Sequence, residues 1–271
     1  MRILRVFPRK TAMTPDDPLA FVGDPPLWRP AADEVHVSVV FTWDQAEGQR
    51  LAEAWRNYYP VVKLDGPAFD ACPNGFTPGQ YIKAGVTFTT HGCNNNCPWC
   101  LVPEREGRLS EIHNFAPGYI IQDNNILQAS RAHLERVGAM LATQRRAAVF
   151  SGGLESRRLD DWRVDWLRGL RIREVFLAAD TVGALKPLEA AIKRLALPRY
   201  KCRVYVMIAF NGETVDAATE RLEAVWALGG LPFAQLYQPA DRWIDYNAEW
   251  RALARTWSRP AAMAAMHKEV E

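Results

Sequence analysis

His91-Gly-Cys93-Asn-Asn-Asn-Cys97-Pro-Trp-Cys100 is the stretch on which the reading of this chain turns. It holds three of the five cysteines, spaced C-x3-C-x2-C. An apolar, β-branched run, Ala84-Gly-Val-Thr-Phe-Thr-Thr90, leads into it and predicts a strand over 86–90. That strand would deliver its C-terminal end into a tight, Asn-rich loop. Short spacings let successive sulfurs converge with little closure entropy, so one metal centre is within reach of all three. Asn94, Asn95 and Asn96 suit such a loop, because Asn tolerates left-handed backbone and can donate to sulfur.

The spacing leaves the metal open. Structural zinc takes four protein ligands and usually shows paired two-residue knuckles, whereas only Cys97 to Cys100 makes one here. A fourth zinc ligand would have to come from His91, His113, Cys72 or Cys202, none at a second-knuckle spacing. An iron–sulfur cube also usually takes four thiolates. Three would leave one iron open to substrate or cofactor. A buried apolar cluster of thiols is the plainest alternative. Cys72, in a Pro/Gly-rich connector, and Cys202, at the start of an apolar strand, read as ordinary thiols.

The motif resembles that of the radical SAM superfamily: C-x3-C-x2-C after the first strand of a partial barrel, with an aromatic residue, here Trp99, before the last cysteine. The similarity runs through residues 89–107, Thr-Thr-His-Gly-Cys-Asn-Asn-Asn-Cys-Pro-Trp-Cys-Leu-Val-Pro-Glu-Arg-Glu-Gly. It is nearest to the branch of methylthiotransferases and cobalamin-dependent radical enzymes. The resemblance implies a 4Fe–4S cluster on Cys93, Cys97 and Cys100. It implies S-adenosylmethionine chelated at the open iron and cleaved to a 5′-deoxyadenosyl radical. A flavodoxin or ferredoxin would supply the electron, and the substrate is unknown. The chain departs from the branch in three respects. It has neither the extra N-terminal cysteines nor the C-terminal RNA-binding β-barrel of methylthiotransferases, and the D-x-H-x-x-G signature of cobalamin binding is absent.

Composition sets the wider bounds. At 271 residues, 48% apolar and 24% charged, the chain is long enough for one large or two unequal domains. A net charge of +2 gives no electrostatic footprint for nucleic acid. There is no apolar run of membrane-spanning length and no signal-peptide pattern, and the clustered thiols suit a reducing compartment; the expectation is cytoplasmic, without a membrane partner.

Residues 1–83 predict a small α/β unit ending in a connector. Its strands are Arg2–Phe7, Val35–Thr42 and Val61–Leu64, with a helix over Gln45–Tyr58 capped by Asp44. A unit placed here resembles a reduced cobalamin domain. His36 lies inside a strand pattern without the expected Gly, so a covering module is favoured over corrin binding. Residues 84–271 alternate strand and helix six times. Later strands are expected near 118–122, 146–150, 174–178, 203–210 and 233–236, with helices over 126–143, 159–169, 187–196, 215–228 and 247–257. Six βα units fall short of the eight of a closed barrel and match the open (βα)6 partial barrel of the radical SAM type.

Ligands of parallel α/β sheets sit at the carboxyl ends of the strands. Polar residues there are the candidate cofactor-binding set: Asp123, Asn124 and Asn125 after the second strand, Glu155 after Ser151-Gly-Gly-Leu, Asp180 after the fourth and Gln238 after the sixth. The resemblance implies the amino group of S-adenosylmethionine at Asp123–Asn125, its ribose at Asp180 and its adenine near Gln235 and Gln238. Each has a structural alternative, Asn125 as an N-cap and Glu155 as a partner of Arg157 or Arg158. Arg105 and Arg108 suit an anionic substrate or form part of a solvated charge run. Asn211-Gly-Glu-Thr214 resembles a Pro-Gly-Glu-Thr turn of the branch, and reads equally as a turn with Thr214 as helix cap. Two further functions stay beside the radical enzyme: a cobalamin-assisted methyltransferase, and a non-catalytic interaction protein with zinc on the cysteines.

Overall fold

The computed structural model describes residues 1–69 and 79–268. Cys72 lies outside them. Two compact units emerge, Met1–Val86 with Pro239–Trp243, and Thr87–Gln238 with Ile244–Glu271. Both are α/β with parallel sheets.

The first unit contains β1 (Ile3–Phe7), β2 (Ala20–Val22), β3 (Glu34–Ser38), α1 (Gln45–Arg56) and β4 (Val62–Asp65). Its sheet runs β2-β1-β3-β4, all parallel. Alternation in β1 and β3 turns Leu4, Val6, Val35 and Val37 to one face. There they meet Leu51, Ala52 and Trp55, the apolar stripe of α1. Asp44 does not cap α1 with its side chain. Its carboxylate is drawn away into a bidentate pair with Arg9. β2 has no counterpart in the sequence reading, because three residues are too short to show alternation.

The second unit begins at Thr87, the last residue of β5 (Val86–Thr87). The strand predicted over 86–90 breaks there. Thr90–His91 forms a separate strand, β6, paired antiparallel with β7 (Ser110–Glu111); between them lie the cysteine loop and the short helix α2 (Val102–Arg105). Strand and helix then alternate: β8 (Ile120–Ile121), α3 (Arg131–Thr143), β9 (Ala148–Phe150), α4 (Asp161–Arg168), β10 (Ile172–Ala178), α5 (Leu185–Leu195), β11 (Cys202–Ile208), α6 (Val215–Ala227), β12 (Leu231–Leu236), α7 (Ala248–Thr256) and α8 (Pro260–Lys268). The strands neighbour one another in chain order, from β5 to β12, in an open six-stranded sheet. The pairings from β8 to β12 are parallel.

One face of this sheet carries the core. In β11, Cys202, Val204, Val206 and Ile208 are buried, while Arg203, Tyr205 and Met207 look the other way and are half-buried. Leu188, Ala191 and Leu195 of α5, and Ala218, Leu222 and Val225 of α6, close over the buried face. Caps fix where the helices start. Ser130, Asp160, Thr214 and Asn247 each accept an amide proton three residues on. The cap at Ser130 splits the helix predicted over 126–143. Residues Ile126–Gln128 form a separate 3-10 turn. No described helix is long and apolar enough to cross a membrane.

Candidate functional site

All six strand ends named in the sequence reading fall in the second unit, at the carboxyl edge of its sheet. Gly92 makes the cysteine loop possible. It sits at φ +72, and a Cβ there would lie 2.3 Å from the Arg108 carbonyl oxygen. The Cys93 amide donates to the Gly107 carbonyl at 3.1 Å, and Glu106 accepts from the Gly92 amide at 2.9 Å. The same Glu106 oxygen accepts from Asn124 at 2.7 Å. The stretch after the cysteines is therefore partly a buckle for the loop, a role the charge run did not reveal. Left-handed backbone falls on Gly92 and Gly107 and on none of the three asparagines. Asn94 instead accepts from the Leu109 amide, and the Asn95 amide donates to Cys93 Sγ at 3.4 Å.

Cys93, Cys97 and Cys100 are free thiols, the first two half-buried and the third exposed. Burial pushes the Cys97 thiol up, and the charges of Cys100, Cys93, Asp180 and Glu155 push it further. Cys100 is also raised, by burial first and then by Cys93, Glu106 and Asp180, against an opposing hydrogen bond from the Val102 amide. Binding a metal requires thiolates, so a metal at this loop must displace thiol protons. Among the described residues, no group of three or more His, Cys, Asp or Glu side chains is already drawn together as a metal cage. The donor set nevertheless suits a soft metal centre: three sulfurs on one short loop, one of them already receiving N–H donors.

The candidate binding residues divide into two groups. Asp123 faces inward, 1% exposed, and accepts from the Thr89 amide at 2.5 Å, the Thr90 amide at 3.1 Å and the Thr89 hydroxyl. Burial pushes its carboxyl up, and the Thr89 and Thr90 donors pull it back. It braces the start of the cysteine loop and offers no carboxylate to a ligand. Gln238 likewise spends both ends of its amide on the Ile244 backbone, at 2.7 and 3.0 Å, and so closes a loop. Gln235 is exposed.

Asn125 and Glu155 do meet. Asn125 Nδ2 donates to Glu155 Oε2 at 2.8 Å, and Asn125 Oδ1 is buried without a hydrogen-bond partner. Gln128 Nε2 and Arg158 Nε donate to the same Glu155 oxygen, at 3.4 and 2.8 Å. Burial raises the Glu155 carboxyl, but these donors hold it below its ordinary value. Its other oxygen, Oε1, makes no hydrogen bond among the described residues. Asp180 accepts from the Met207 amide at 2.9 Å, and burial pushes its carboxyl up against that bond and the charge of Arg221. Trp99 sets its ring edge-on to Phe210, 5.5 Å away, and Phe210 does the same to Tyr237 at 4.9 Å.

No family model and no curated protein matches this chain.

Two further features frame the edge. The turn after β11 takes left-handed backbone at Ala209, Asn211 and Gly212, and Glu213 braces it. Glu213 accepts from the Ala209 amide at 2.9 Å and pairs with Arg221, which is 4% exposed. Arg221 also donates to the Ala179 and Met207 carbonyls, tying the ends of β10 and β11 together. Glu213 is thus a structural brace, and Thr214 caps α6. Gln128 was not legible in advance. It fell inside a predicted helix, where a polar residue reads as solvent-facing. In the first unit, His36 is 5% exposed, with one ring nitrogen 2.7 Å from Glu34 and the other bonded to the Tyr81 hydroxyl.

Proposed function

We propose that this chain is a radical SAM enzyme, with a 4Fe–4S cluster on Cys93, Cys97 and Cys100 and S-adenosylmethionine as its co-substrate. The observation that carries this reading is the C-x3-C-x2-C loop at the carboxyl edge of a six-stranded, sequentially ordered sheet, beside Asn125, Glu155 and Asp180. The partial barrel of that family is the finer form of the α/β architecture and belongs to the same proposal.

The roles follow from side-chain chemistry. Cys93, Cys97 and Cys100 would hold the cluster as thiolates, giving up their protons to it. A cluster held there would pass one electron from a flavodoxin or ferredoxin to the sulfonium, releasing methionine and a 5′-deoxyadenosyl radical that takes a hydrogen atom from an organic substrate. Glu155 Oε1 and the orphan Asn125 Oδ1 are acceptors suited to the ammonium of S-adenosylmethionine. Asp180 suits its ribose hydroxyls. Asn124 and Asp123 act through the loop, by fixing Glu106 and Thr89. Trp99, which precedes Cys100 in the chain, packs its ring edge-on against Phe210 and places an apolar surface at the end of the cysteine loop.

Anaerobic reconstitution with ferrous iron and sulfide tests the reading. The wild type should take up iron and sulfide in the ratio of a 4Fe–4S cluster, and Cys97→Ala should not, while keeping its far-ultraviolet circular dichroism. Tightly held zinc with no iron uptake, or an unchanged iron spectrum in Cys97→Ala, would refute it.

A further inference from the structure

Gln128 is held in place by its neighbours. It ends the 3-10 turn Ile126–Gln128, whose Ile126 and Leu127 are buried in the core at 1% and 0% exposure. Its amide reaches three groups of the candidate site. Oε1 accepts from the Asn94 amide at 2.7 Å; Nε2 donates to Cys93 Sγ at 3.5 Å and to Glu155 Oε2 at 3.4 Å. Among the described residues this is the one side-chain hydrogen bond to any of the three clustered thiols. The other donor to Cys93 is a backbone amide, that of Asn95.

The three contacts specify the residue type. The position needs an acceptor toward Asn94 and donors toward sulfur and carboxylate at once. Glu has no donor when ionised, Lys has no acceptor, and an apolar residue has neither. Gln meets all three, with an acceptor oxygen and a two-proton donor nitrogen on one amide.

We infer that Gln128 is a positioning residue that sets the reduction potential of the iron–sulfur cluster through its hydrogen bond to Cys93. This rests on the radical SAM reading above. Reduction adds one electron to the cluster and its thiolates, and the more negative state is stabilised more by an N–H donor at sulfur. Removing the donor disfavours the reduced form and makes the potential more negative. The carbonyl end of the same amide holds the Asn94 backbone, so loop register and potential are set by one side chain.

The test is a redox titration of the reconstituted protein without S-adenosylmethionine, following the reduced cluster by electron paramagnetic resonance. Gln128→Met removes both ends of the amide. Gln128→Glu keeps an acceptor for Asn94 and so tests anchoring; because it also adds a charge near Cys93 and Glu155, the uncharged Gln128→Met decides tuning. The expected result is iron and sulfide uptake as in the wild type, with the reduced-to-oxidised ratio at a fixed potential lowered about tenfold in each variant, a shift of about 59 mV for a one-electron couple. If only Gln128→Glu assembles the cluster, Gln128 serves to anchor the loop and the inference is overturned. A change of less than about twofold, roughly 18 mV by the same constant, overturns the inference and leaves the cluster assignment standing. Failure of both variants to assemble a cluster that the wild type assembles also overturns it, because Gln128 would then serve loop structure alone. Absence of a cluster in the wild type overturns both readings.

Discussion

Gly152→Ala should unlock the carboxyl edge of the second sheet. A Cβ on Gly152 would fall 1.9 Å from the Asp123 carbonyl oxygen, 2.7 Å from its carbon and 2.8 Å from the Gln122 carbonyl carbon. All three are backbone atoms, so no side-chain rotation relieves the clash. The loop after β9 must retreat by at least about 1 Å, an overpacking that costs on the order of 1–3 kcal/mol. The retreat also separates Glu155 from Asn125, whose 2.8 Å bond to an ionised and half-buried carboxylate contributes about 1.5–3 kcal/mol. Allowing for relaxation, the second unit should lose about 3–5 kcal/mol, and its thermal midpoint should fall by about 10 °C. Chemical denaturation followed by tryptophan fluorescence measures the loss. Gly183→Ala is the control, since its nearest neighbour is the Thr181 hydroxyl at 3.9 Å and its backbone is ordinary. It should stay within about 0.5 kcal/mol of the wild type. Gly152→Ala within the same margin would refute the close approach of the two loops.

Arg221→Met removes the cation that pairs with the half-buried Glu213 and abandons the Ala179 and Met207 carbonyls; it should cost about 3 kcal/mol in denaturation, with part recovered in the double variant carrying Glu213→Gln. His267 on α8 stacks on Trp226 and bonds both the Met263 carbonyl and Glu223; burial would lower its pKa, but these two acceptors raise it above the ordinary value. Its contribution to the docking of α8 is therefore fully present below the unfolded pKa of about 6.5 and lost as pH rises through the higher folded value. Hydrogen-exchange protection factors of α8 should fall between pH 5.5 and 8 in the wild type, and the same fall in His267→Gln would dismiss this assignment.

Much of the architecture was legible because it rests on periodicity. The alternation in β11 and the apolar stripes of α5 and α6 are readable at a distance of two to four residues, and the cap at Thr214 is a local signal. The shortest strands were overdrawn for the same reason. In 118–122 and 86–90 only two residues make ladder bonds in the main sheet, and the rest of the apolar run turns into loop. The role of Asp123 was hidden because its donors, Thr89 and Thr90, lie more than thirty residues away. Asp44 lost its cap to Arg9 across a similar gap. The cysteine loop itself was plain from spacing. Its support was not, since Glu106 and Gln128 reach it only after the chain has folded back.

Reductive cleavage of S-adenosylmethionine is the most direct test of the central claim. The reconstituted protein, reduced with dithionite and supplied with S-adenosylmethionine, should release 5′-deoxyadenosine, and Cys93→Ala, Cys97→Ala and Cys100→Ala should each abolish the product. A protein that assembles the cluster and, under strong reduction, leaves S-adenosylmethionine intact, or one that yields the product unchanged without the cysteines, would contradict it.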